Sequence, residues 1–168
     1  RAYGTTADDV LKYTRPYLKA IHESGMATCV KHFPGDGTEE RDQHLILGVN
    51  ELSVDEWDES FGKVYSTLID DGLHSIMVGH IALPEYSRKL RPGITDDEIM
   101  PATLAPELLT DLLKGQLGWN GLTITDASHM IGFAAAMKRK DAVPGCIAAG
   151  CDMLLFFRDE DEDYESMM

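Results

Sequence analysis

Between Lys31 and His44 the chain places two histidines, a lysine, an arginine and four carboxylates, directly after the apolar run Ala27-Thr28-Cys29-Val30. Side chains of these types move protons and hold polar ligands. A strand that releases them into a glycine-bearing loop builds the kind of site found at strand ends in α/β enzymes. Pro34-Gly35 ends the strand sharply, and Gly35 and Gly37 let the loop fold back over it. Asp42 and His44 stand two apart. On a turning loop the carboxylate can accept from one imidazole nitrogen, fix the tautomer and leave the other nitrogen as a general acid. Asp126 closes the strand-like run Gly121 to Asp126, where a carboxylate leaving the sheet can attack an electrophilic carbon or bind a cation. Lys31 and His32 alternate in direction on a regular strand, so their joint action on one ligand requires a kink there.

The elements that must carry these groups follow from periodicity. Four short apolar runs, Ala27 to Phe33, Ser75 to Ile81, Gly121 to Asp126 and Asp152 to Phe157, are expected to be strands of a buried parallel sheet. Helical spacing lies between them. The run Ala7 to Glu23 places Val10, Tyr13/Thr14, Tyr17 and Ile21 on one stripe, behind a Thr6 cap and ahead of Gly25, with Pro16 predicting a kink or break. Ser53-Val54-Asp55-Glu56 has capping-box spacing, and Trp57, Phe61, Val64, Tyr65, Leu68 and Ile69 form the apolar face of a helix stopped by Gly72. A third helix starts near Pro106 and runs to Gly118 through Leu108, Leu109, Leu112 and Leu113. A fourth, Asp141 to Ala149, is interrupted by Pro144-Gly145. The alternation predicts an α/β fold in one domain, residues 1–168, with the acidic tail Asp159 to Asp163 solvated.

Composition narrows the function. The 168 residues are 43% hydrophobic and 26% charged, ordinary for a globular domain. A formal charge of −14 with scattered basic residues argues against nucleic acid as a partner, and no apolar run approaches the roughly 20 residues that cross a bilayer. Cys29, Cys146 and Cys151 lack metal-type spacing, which fits a reducing, cytoplasmic setting. His80 in its apolar strand reads equally as a core histidine or a ligand contact, and Met77, Met130 and Met153 as packing or pocket lining.

Taken together, the ordered blocks resemble glycoside hydrolase family 3, in its bacterial β-N-acetylhexosaminidase branch. Lys31, His32, Phe33, Pro34, Gly35, Gly37, Asp42 and His44 match the family loop with unbroken spacing. Arg1 to Gly4, Met77 to Ile81, Pro101 to Leu104, Leu117 to Leu122, Ile124 to Asp126 and Ala149 to Met153 follow in family order. The resemblance implies a (β/α)8 TIM-type barrel, of which four strands correspond to the C-terminal half. The missing half would come from the rest of the protein or from another chain, since a full barrel takes about 250 residues. It implies Asp126 as nucleophile, His44 oriented by Asp42 as general acid/base, and Arg1, Lys31, His32, His80 and Met130 as substrate contacts. The implied reaction is retaining hydrolysis of a terminal β-linked N-acetylhexosamine through a glycosyl-aspartate, with carbohydrate as the partner and no cofactor or metal. Asp36 and Gln43 depart from the histidine and serine common in the family, which touches sugar preference.

Three other readings stay open on the residues. A β-glucosidase or a phosphorylase of the same family would share the centre, because a neutral imidazole repels an incoming phosphate less than a carboxylate does. His32, Asp42, His44, His80 and Asp126 also suit a metal-dependent barrel hydrolase, and an isolated half barrel suits a non-catalytic carbohydrate-binding fragment.

Overall fold

Four parallel strands make the main sheet, in the order β1 (Cys29–Phe33), β3 (Ser75–Val78), β5 (Leu122–Ala127) and β6 (Met153–Leu155). The computed structural model of the chain describes residues 3–38, 46–156 and Glu165. Arg1, Asp42, His44 and the acidic run 159–163 therefore lie outside the described residues, as does Phe157. All four expected strands form, with ends shifted by one to three residues, β5 running one residue past Asp126 to Ala127. The run after Val78 does not continue β3. Ile81–Ala82 (β4) instead pairs in parallel with Gly48–Val49 (β2) as a separate two-stranded patch.

Register sorts the sheet residues onto two faces. Val30 pairs with Ile76 and Ile76 with Thr123, while Phe33 pairs with Val78 and Val78 with Thr125. From Phe33 through Thr125 these positions are buried, and they join Leu68, Leu108 and Leu112 in the core. The threonines are tolerated there because each hydroxyl is used: Trp119 Nε1 donates to Thr123 Oγ1 at 3.0 Å, and the Leu155 N–H donates to Thr125 Oγ1 at 3.0 Å. The opposite face carries Lys31, Met77, Leu122, Ile124 and Met153 and is far less covered, with Leu122 45% and Met153 50% exposed.

The helices obey their local signals more closely than their apolar stripes. α1 spans Ala7–Glu23, with the Asp9 N–H donating to Thr6 Oγ1 at 3.1 Å and Gly25 at φ 80° ending it. Its buried residues are Leu11 and Leu18, whereas Tyr13 and Tyr17 are exposed, so the expected stripe is rotated. Pro16 does not break α1, and Pro144 does not interrupt α6 (Arg139–Ala149). Both prolines sit on exposed faces, where water can serve the carbonyl each leaves without a donor.

α2 (Val54–Trp57) opens with the Ser53 and Glu56 capping box. It passes through a wider π turn, Asp58–Gly62, into α3 (Lys63–Asp70). Trp57, Tyr65 and Leu68 are buried as expected, and α3 packs on α1. The helix after Pro106, Glu107–Gln116, buries Leu108, Leu109, Leu112 and Leu113 completely, wound with π spacing. α4 (Pro84–Leu90) and α5 (Ile131–Ala134) are short additions that periodicity did not resolve.

Candidate active site

β1 reaches the site through an irregularity. Lys31 pairs with Met77 but Phe33 with the next residue, Val78, so His32 is an extra residue in the strand. The kink that joint action of Lys31 and His32 requires is thus present. Lys31 keeps the register of the open face, Phe33 returns to the buried face, and His32 turns toward Asp126 on the open side. The Lys31–His32 and Phe33–Pro34 peptide bonds are both cis.

Buried residues fix the start of the loop. Trp57 Nε1 donates to the Pro34 carbonyl at 2.7 Å, and Asn50 Nδ2 donates to the Gly35 carbonyl at 3.2 Å. Phe33 lies edge-on to Trp57 and Tyr65, with centroids 6.3 and 5.2 Å away. Gly35 has φ 138°, and a β-carbon there would come within 2.5 Å of the Phe61 ring. Two carbonyls clamped by buried donors, and a glycine seated on an aromatic ring, give the loop a defined exit from the sheet.

Asp126 lies near the carboxyl end of β5, where pairing with β6 also shifts, Ile124 matching Met153 and Ala127 matching Leu155. Its Oδ1 accepts the Ala127 N–H at 2.8 Å, and its Oδ2 lies 3.4 Å from His32 Nε2. The other ring nitrogen of His32, Nδ1, lies 3.3 Å from Asp36 Oδ2. The Asp126 side chain keeps 17% of its surface open and that of His32 22%, so both are sheltered yet reachable.

His80 is completely buried, 0% exposed. Its Nε2 lies 3.1 Å from the Ala127 carbonyl oxygen and its Nδ1 3.0 Å from Thr103 Oγ1. A carbonyl only accepts, so Nε2 carries the hydrogen, and Nδ1 accepts from the Thr103 hydroxyl. Burial holds the His80 pKa below its ordinary value, against the opposing pull of the Ala127 carbonyl and the Asp126 charge. The Ala127 carbonyl also accepts the Met130 N–H at 3.1 Å; Met130 itself is buried at the start of α5.

The structure therefore brings together Asp126, His32 and, behind Ala127, His80 and Met130. Lys31 stands exposed one residue before His32. Arg1, Asp42 and His44 fall outside the described residues. Two residues that the sequence reading did not assign to the centre contribute to it. Asp36 signalled itself only as a departure from a family pattern, and Thr103 only as a polar residue inside an apolar block. Among the described residues no group of three or more His, Cys, Asp or Glu is placed to hold a metal ion, and no helix is long and apolar enough to cross a membrane.

Residues 1–167 match the Glycosyl hydrolase family 3 N terminal domain. A curated protein of Cellulomonas fimi, "Beta-N-acetylglucosaminidase/beta-glucosidase", is 52% identical over 167 residues, which are 99% of this chain and 30% of that protein. A solved "Beta-glucoside phosphorylase BglX bound to 2FGlc" superposes with a TM-score of 0.96 at 40% identity, over 99% of this chain and 30% of its own. A family 3 β-N-acetylglucosaminidase from Paenibacillus sp. str. FPU-7 superposes with a TM-score of 0.85 at 26% identity, over 98% of this chain and 30% of its own. The chain thus spans about a third of the length of these proteins.

Proposed function

Since the chain belongs to glycosyl hydrolase family 3, we propose that it carries the nucleophile side of a retaining β-glycosidase centre acting on terminal β-linked N-acetylhexosamine. Asp126 attacks the anomeric carbon and forms a glycosyl-aspartate. His44, oriented by Asp42, protonates the departing oxygen and then deprotonates the water that releases the sugar. Arg1 and Lys31 hold sugar hydroxyls, while His32 faces the Asp126 carboxylate. His80, buried with both ring nitrogens engaged, holds the strand end, and Met130 beside it completes the substrate contacts. The single observation behind this reading is the Asp126 carboxylate: sheltered on the open face of the sheet, with one oxygen held by the Ala127 N–H and the other 3.4 Å from an imidazole. A nucleophile needs that kind of fixed, partly desolvated setting.

The sugar preference rests on the name of the Cellulomonas fimi relative, which carries both N-acetylglucosaminide and glucoside activities. A β-glucoside is therefore the second substrate class. Phosphate in place of water is a second acceptor, supported by the 40% identity to a phosphorylase.

The test is turnover of an aryl N-acetyl-β-glucosaminide by the full-length protein and its Asp126→Ala variant. The variant is expected to lose roughly a thousandfold or more in kcat, in the range seen when a nucleophile is removed. Turnover that survives the substitution would remove Asp126 from the role. Analysis of products in phosphate buffer separates the acceptors: sugar 1-phosphate indicates phosphorolysis, and free sugar alone indicates hydrolysis.

A further inference from the structure

We propose that Asp36 is a positioning residue for this reaction, acting through His32 to set the Asp126 carboxylate; the inference rests on Asp126 being the nucleophile. The three side chains are linked in succession. Asp36 Oδ2 lies 3.3 Å from His32 Nδ1, and His32 Nε2 lies 3.4 Å from Asp126 Oδ2. An imidazole with a partner at only one nitrogen flips at the cost of that single contact, and the flip turns carbon edges toward both neighbours. An imidazole facing carboxylates at both nitrogens satisfies both only as the imidazolium, with an N–H toward each, and then has only one ring orientation that does so.

Scaffold residues, not the pair itself, bring Asp36 to this place. The backbone between His32 and Asp36 is clamped at Pro34 by Trp57 and at Gly35 by Asn50, and Gly35 rests against Phe61. Asp36 is 40% exposed, so its attraction to His32 adds little to stability by itself. Its effect is geometric. With Asp126 Oδ1 already held by the Ala127 N–H, a fixed His32 ring defines the second contact of the carboxylate and so the direction in which it faces.

The experiment is a double-mutant cycle in the full-length protein, with Asp36→Ala, His32→Ala and the pair of substitutions together. It is read by kcat/KM on an aryl glycoside and by the initial burst of aryl alcohol, which reports formation of the glycosyl-aspartate. Asp36→Ala is expected to lower both about 10- to 100-fold, the size of a charge-assisted contact, with an unchanged melting midpoint. In the His32→Ala background the same substitution is expected to change nothing further. Asp36→Asn keeps shape and an acceptor oxygen while losing charge. It is expected to fall between wild type and Asp36→Ala, and it carries the cycle if the alanine variant does not fold.

Wild-type kinetics for Asp36→Ala, or a loss that multiplies with that of His32→Ala, would overturn the inference. Asp126→Ala run in parallel separates the two levels. Activity in that variant sinks the nucleophile assignment. Its inactivity, with an Asp36 effect independent of His32, sinks only the role given to Asp36.

Discussion

Ala127 is held on both sides of its backbone: its N–H donates to Asp126, and its carbonyl takes His80 Nε2 and the Met130 N–H. A sequence reading singles out Asp126 and His32 by residue type and position, because a carboxylate or an imidazole at a strand end can do chemistry there. It could not divide His80 between core and ligand, since that depends on Thr103, 23 residues away in the chain. His80 also makes a pH prediction. Burial holds its folded pKa below the free value of about 6.5, so below that pH the unfolded chain binds a proton that the folded chain refuses. Stability is therefore intact above about pH 6.5 and falls as pH drops from there toward the folded pKa, by at most about 1.4 kcal/mol per pH unit. His80→Gln, which cannot titrate, is expected to flatten this slope. Melting midpoints between pH 7.5 and 5 that keep an identical slope in the variant would refute it.

At the scale of elements, the irregular step in β1 does more for the site than the strand's regular part. One extra residue lets Lys31 and His32 share the open face while Phe33 still reaches the core. The turn that follows depends on Gly35, at a φ that side-chain-bearing residues rarely adopt and with its missing β-carbon 2.5 Å from Phe61. Gly35→Ala is thus expected to cost about 3 kcal/mol or more, combining backbone strain with overpacking, and to lower activity with it. Denaturant unfolding measures this, and an alanine variant as stable as wild type would show that the loop has room. Element ends were legible because caps are local: Thr6, the Ser53 and Glu56 box, Gly25 and Gly72 act within a few residues. The rotation of α1 was not, because Tyr13 and Tyr17 look like core residues until the partner surface is known. Pairs as short as Gly48–Val49 with Ile81–Ala82 carry no periodicity to read.

For the whole molecule, the alternation of apolar runs and amphipathic segments identified a parallel α/β sheet correctly, and four strands imply the unclosed sheet that is found. β1 and β6 stand at its ends, each with one neighbour among the described strands, while Leu122 and Met153 lie exposed on the face that carries Asp126. Unpaired edges beside apolar surface invite other strands. Expressed by itself, this 168-residue stretch is expected to self-associate, and sedimentation of a stable monomer across a hundredfold range of concentration would contradict that. The order of the main sheet has a kinetic corollary. β3 joins β1, β5 joins β3 and β6 joins β5, so each arriving strand docks on one already made. Such a layer can assemble from its N-terminal end while the ribosome is still at work, and the carboxylate at position 126 reaches its imidazole neighbour only when the third strand is laid down.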